Sequence, residues 1–157
     1  MKRVLTSVGI VAILLGVALS GQAKPNFAGK WTLVQDANAA AGGMMTAGQM
    51  TVAQDDKTLT VTTTGQMGEI KTAYSMDGKE MKSPLEINGM SIDRVTKAAW
   101  DGNKLVLTTI ADFQGQGFET KQVWSLAADG SLAVDSTRPD FQGGGAPVTT
   151  KLTYKKG

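Results

Sequence analysis

Paired turn residues recur along this chain at short intervals, and between them apolar side chains alternate with polar ones. Asp55-Asp56, Asp77-Gly78, Asn88-Gly89, Asp101-Gly102 and Asp129-Gly130 are the clearest breaks. Asp-Gly and Asn-Gly pairs suit the left-handed backbone of tight hairpins. The intervening segments have period two: Ile70, Thr72, Tyr74 and Met76 share one strand face, with Glu69, Lys71 and Ser75 on the other. No segment sustains a helical period. The one alanine cluster, at 37–41, runs into Gly42-Gly43, which ends a helical turn. This pattern predicts an all-β chain of about 8–10 short strands, an antiparallel up-and-down barrel whose closure removes exposed edges.

The strand after the first break-free stretch starts at Trp31, and Met50 to Thr63 reads as a hairpin around Asp55-Asp56. Pro84 weakens any central-strand reading of 81–87. Ile92–Trp100 and Leu105–Ile110 read as the next strands, Gly115 to Gly117 interrupts, and Phe118–Leu126, Leu132–Ser136 and Val148–Tyr154 complete the set. Asp112-Phe113-Gln114-Gly115 matches Asp140-Phe141-Gln142-Gly143 at the same offset that relates Asp101-Gly102 to Asp129-Gly130. Two equivalent turn-strand-loop units place both Asp-Gly turns at one end and both Asp-Phe-Gln segments at the other, wider end. The earlier half has no such period, which argues against a solenoid or propeller.

The amino terminus reads as a secretory leader. Lys2 and Arg3 precede the apolar run Val8–Leu19, and Ser20-Gly21-Gln22-Ala23 supplies small residues for cleavage. The apolar run is shorter than the about 20 residues that a membrane helix needs. The expected organisation is a signal peptide over 1–23 and one β-barrel domain over 24–157, exported to the periplasm or beyond, with no integral span after cleavage. Removing the leader takes two of the 16 basic residues, leaving 14 against 14 acidic ones. A neutral chain without a Lys/Arg stripe lacks the electrostatic footprint for nucleic acid.

Cysteine and histidine are both absent. Thiol nucleophiles, Ser-His-Asp arrangements and His/Cys zinc sites are thereby excluded, and no disulfide supplements the core. No acidic residue lies in a catalytic motif, so the chain reads as non-enzymatic and without cofactor. Asp112 and Asp140 match no calcium loop. The methionines, Met44, Met45 and Met50 among them, read as adaptable core filling rather than a copper site.

Asn26-Phe27-Ala28-Gly29-Lys30-Trp31 opens the domain: Gly29 allows a sharp bend into the strand, and Trp31 sets a large ring at one end of the core. This Phe-x-Gly-x-Trp opening resembles that of lipocalin and calycin-like barrels. With Trp100-Asp101-Gly102-Asn103-Lys104-Leu105 and Lys151-Leu152-Thr153-Tyr154-Lys155-Lys156, it is similar to small exported bacterial proteins of lipocalin-like fold. The resemblance implies that Phe27, Gly29 and Trp31 form a structural motif. It also implies a last-strand cation over the first-strand tryptophan, for which this chain offers lysine and no arginine. The Thr-Asp-Tyr segment of typical lipocalins is missing, and the resemblance brings no activity with it.

Candidate ligand contacts follow from strand phase. If Trp100 and Ala98 face inward, so do Thr96 and Arg94; if Trp124 and Phe118 do, so do Gln122 and Thr120. With Tyr74, these side chains would orient a ligand carrying a carboxylate or carbonyl. A bulge would instead turn Arg94 to water, the commoner fate of an unpaired arginine. Phe113 and Phe141, set among glycines, would contact the ligand, a partner or a membrane surface, or else fold back as lids on the barrel end. The chain thus reads as a monomeric exported binder of a hydrophobic or amphipathic small molecule, its wide end gated by 36–48, 111–117 and 138–147. The alternative is a filled barrel acting as an interaction or envelope module through its glycine-rich loops.

Overall fold

The computed structural model describes residues 23–36, 47–65, 68–87, 89–140 and 144–157. These residues form twelve strands. The first four are β1 (Gly29–Asp36), β2 (Gln49–Gln54), β3 (Thr58–Gly65) and β4 (Gly68–Ser75). Three short pieces follow: β5 (Met81–Lys82), β6 (Leu85–Ile87) and β7 (Met90–Ile92). The chain then makes β8 (Arg94–Asp101), β9 (Lys104–Phe113), β10 (Gln116–Leu126), β11 (Leu132–Arg138) and β12 (Val148–Lys156). Ten strands make one antiparallel sheet in the order β4-β3-β2-β1-β12-β11-β10-β9-β8-β5, and β6 and β7 pair separately. The described part is therefore the expected all-β meander, with no helix among the described residues. Its first and last strands are joined through β1–β12, where Trp31 lies opposite Lys156.

The hairpin turns after β2, β4, β8 and β10 lie at one end, here the floor. Strands β1, β3, β9 and β11 end at the other, the rim. At the floor, aspartates organise the turns as their sequence predicts. Asp55 Oδ1 accepts the Lys57 and Thr58 N–H groups, both at 2.7 Å. The Ser75 hydroxyl, then the Lys79 N–H and ammonium, hold the exposed Asp77 carboxyl down at about 2. Such a depression favours the folded turn at pH above the ordinary carboxylate pKa, and the contribution is lost as pH falls below that pKa toward about 2.

The floor is plugged by the residues before β1. Phe27 is fully buried, stacked on Trp100 at 6.1 Å and edge-on to Trp124 at 5.7 Å. Gln54 clamps this segment, accepting the Phe27 N–H at 2.8 Å and donating to Pro25 O at 3.3 Å. The Trp31 indole N–H donates to Phe27 O at 2.8 Å, satisfying its one polar atom inside the core. Lys156 Nζ lies 5.6 Å from the Trp31 ring, so lysine supplies the last-strand cation. Leu59, Ala98, Leu105, Leu107 and Leu132 complete the apolar packing around these rings.

Two expectations about the rim need correction. Residues 111–117 are not an open loop: pairing runs through Phe113 and Gln116, and Gln114 (φ 56°) and Gly115 (φ 82°) make a two-residue turn. Both central residues are left-handed, as a hairpin that keeps its strand twist requires. Gly117, read as a strand breaker, lies inside β10. The first of the duplicated Asp-Phe-Gln-Gly segments is therefore a hairpin turn; of the second, only Asp140 is among the described residues. Residues 37–46 and 141–143, to which gating was also assigned, lie outside the described residues.

Sheet pairing stops between β4 and the β5–β8 edge, and side chains bridge this seam. Thr96, 1% exposed, places Oγ1 2.5 Å from Ala73 O and 3.2 Å from Met81 O. Ser83 Oγ accepts the Ala73 N–H at 3.2 Å. Thr96→Val keeps the shape but leaves Ala73 O without its donor. A loss of about 1–2 kcal/mol is expected, read from the urea midpoint, with faster amide exchange along β4.

Candidate functional site

Above the plug the barrel is hollow. A cavity of about 270 Å3 occupies the rim half, with Trp124, Val134, Leu152 and Met50 as its inner apolar surface. Higher up the lining turns polar, because strand alternation delivers threonines from five inward-facing rows: Thr63, Thr72, Thr109, Thr120 and Thr150. Ser136, Gln122, Tyr74, Arg94 and Arg138 join them. The lining thus joins hydrocarbon toward the floor to hydroxyl and guanidinium groups toward the rim, where Ala47 and Ile70 add apolar surface.

Strand β10 brings Thr120, Gln122 and Trp124 to the cavity as one alternating row, and Gln122 Oε1 accepts the Trp124 indole N–H at 3.0 Å. Tyr74 reaches in from β4, its hydroxyl 3.2 Å from Thr109 Oγ1. Burial pushes the Tyr74 phenol above its ordinary pKa, opposed by the Thr109 hydrogen bond and then by the Arg94 charge. The Thr150 hydroxyl is buried in the lining, 4% exposed as a residue, with no hydrogen-bond partner among the described residues.

Arg94 does not turn to water. Pairing of β8 with β9 is continuous from Arg94–Ala111 to Asp101–Lys104, so no bulge shifts the phase. Arg94 stays on the inward face with Thr96 and Ala98, at the seam. Nε donates to Ser83 O at 3.0 Å and Nη2 to Thr72 Oγ1 at 3.2 Å. Burial pulls its pKa below the usual arginine value, partly offset by Tyr74; the group remains charged. What made an inward arginine look unfavourable was the assumption that it had no partners. The seam supplies them, and nothing local in the sequence announces the seam.

Five of the eight candidate contacts, Tyr74, Arg94, Thr120, Gln122 and Trp124, line this one cavity. Trp100 does not: it packs against Phe27 at the floor, with Lys24 Nζ 5.3 Å from its ring. Phe113, at the β9–β10 turn, is 48% exposed and also lies outside the lining. Phe141 lies outside the described residues. Sequence reading missed Thr63, Thr72, Thr109, Thr150, Ser136 and Arg138. Their period-two spacing was available as a signal, since Thr72 shares a face with Tyr74 and Thr150 with Leu152.

No protein-family model matches the sequence, and no curated protein matches it. Solved structures do match in shape. Human cRBP IV superposes with a TM-score of 0.56 at 14% identity, over 85% of this chain and 99% of that one. A point mutant of the fluorescent protein UnaG gives 0.55 at 18% identity, over 83% and 96%. A zebrafish ileal bile acid-binding protein complexed with cholic acid gives 0.57 at 18% identity, over 83% and 98%. At such identities the likeness is one of fold: the chain forms a nearly closed, lipocalin-like antiparallel β-barrel.

Proposed function

We propose that this protein is an exported, non-catalytic binder that encloses one amphipathic small molecule in the rim half of its barrel. The observation that carries the reading is the cavity of about 270 Å3. A barrel serving only as a scaffold would fill that space with side chains, because interiors are packed nearly as densely as organic crystals. Here buried rings and leucines occupy the floor, and the rim half holds the cavity. A hydrocarbon portion fits against Trp124, Val134 and Leu152, while a polar end meets Tyr74, Thr120 and Gln122. The fold shared with a bile acid-binding protein that holds cholic acid supports a similar use of the interior.

Native mass spectrometry tests this on protein recovered from an exporting host. The expected spectrum shows chains beginning at Lys24 with one bound small molecule, and stripped protein that takes up Nile red one to one. Stripped protein that binds neither Nile red nor any amphiphile of a broad panel contradicts the reading.

A further inference from the structure

Arg94 is a partly buried cation whose only partners among the described residues are a backbone carbonyl and a threonine hydroxyl. A guanidinium has five N–H donors, and two are used. Acidic side chains whose exposure is described lie on the outside, except Asp140, which is partly buried, and none lines the cavity. Partial withdrawal of a cation from water without a counter-charge is costly. Such an arrangement becomes favourable when an anion arrives in the same low-dielectric space, where attraction is far stronger than in water.

We infer that Arg94 receives a single negative charge, so that the cavity selects small amphiphiles with a carboxylate head. This rests on the binding role proposed above and names its ligand class. Three features support a carboxylate on a modest apolar body. The planar fork of Arg94 retains donors suited to a carboxylate's two oxygens. The unpartnered, buried Thr150 hydroxyl offers a neutral hydrogen bond within the same lining. At protein-like packing density the cavity of about 270 Å3 holds a molecule of about 200 Å3.

Three probes with the same chain test the charge alone: decanoate, decan-1-ol and decylammonium, titrated calorimetrically into stripped protein. Decanoate is expected to bind at least about tenfold more tightly than decan-1-ol, the scale of a hydrogen bond to a charged group. Decylammonium should be weakest. Arg94→Gln should bring decanoate and decan-1-ol to within about twofold. Thr96→Val, which loosens the seam and does not line the cavity, should keep the wild-type order.

Equal affinity for decanoate and decan-1-ol in the wild type overturns the inference and leaves the binding role standing. So does a decanoate preference that survives in Arg94→Gln, or one lost equally in Thr96→Val. Failure of all three probes in protein that takes up Nile red overturns the inference alone; failure of Nile red and the broader panel as well overturns the role beneath it. If Arg94→Gln does not fold, Arg138→Gln decides, because Arg138 is the other guanidinium of the lining: a decanoate preference kept there assigns the charge to Arg94, and one lost there overturns the inference.

Discussion

Phe27→Ala is expected to destabilise the protein by about 3–5 kcal/mol, the range for removing a buried aromatic ring. It should appear as a lower denaturant midpoint at unchanged slope. Phe27 is fully buried and contacts two tryptophans in different geometries, stacked on Trp100 and edge-on to Trp124. Removing its ring leaves a void that neither indole fills without moving. Trp31 is pinned through its indole N–H to the Phe27 carbonyl, and Gln54 holds the same segment by two hydrogen bonds. The floor therefore cannot readily collapse, and a site that cannot collapse falls at the costly end of the range. Val34→Ala, at a position 52% exposed, serves as the control and should stay within about 0.5 kcal/mol of wild type.

Gly29→Val is the second large effect, expected at about 3 kcal/mol from backbone strain and crowding together. Gly29 has φ 140°, a conformation that β-branched residues rarely adopt. A Cβ there would sit 2.6 Å from Lys156 Cε. Lysine is flexible and can yield, but yielding draws its ammonium away from the Trp31 ring. Pairing the change with Lys156→Ala separates the causes. The double variant should recover the crowding and keep at least about 1 kcal/mol of backbone strain. Full recovery would show that φ at this position costs nothing.

Both effects concern a motif legible from the start. Asn26 to Trp31 announced a bend and a plug because glycine and a large ring have few alternative uses at the head of a β chain. Strand phase was legible for the same local reason: period two in β8 and β10 placed Arg94, Thr120, Gln122 and Trp124 on one face, and one cavity receives them. Boundaries were less legible. Gln114-Gly115 forms a tight turn where a loop was expected, because a positive φ at Gln114 is a tertiary outcome. The hairpin of β6 and β7 was only half visible, since Pro84 obscured what precedes it.

The seam was not legible at all. Thr96 to Ala73, Ser83 to Ala73 and Arg94 to Thr72 join segments separated by 10 to 23 positions across a place where ladder pairing is absent. No local pattern marks such a place. The seam supplies the two hydrogen-bond acceptors, Ser83 O and Thr72 Oγ1, that hold Arg94 in the place strand phase gives it.

A barrel solid at its floor and hollow at its rim would hold its ligand inside the hollow half. Nuclear magnetic resonance titration of isotope-labelled, stripped protein with decanoate tests this most directly. Saturable shifts at Thr72, Arg94, Thr109, Thr120, Gln122 and Thr150, with Phe27, Leu59, Leu105 and Leu132 unmoved, are the predicted result. Shifts confined to Phe113 and outward strand faces, or no saturable shift at any concentration below micelle formation, would contradict it.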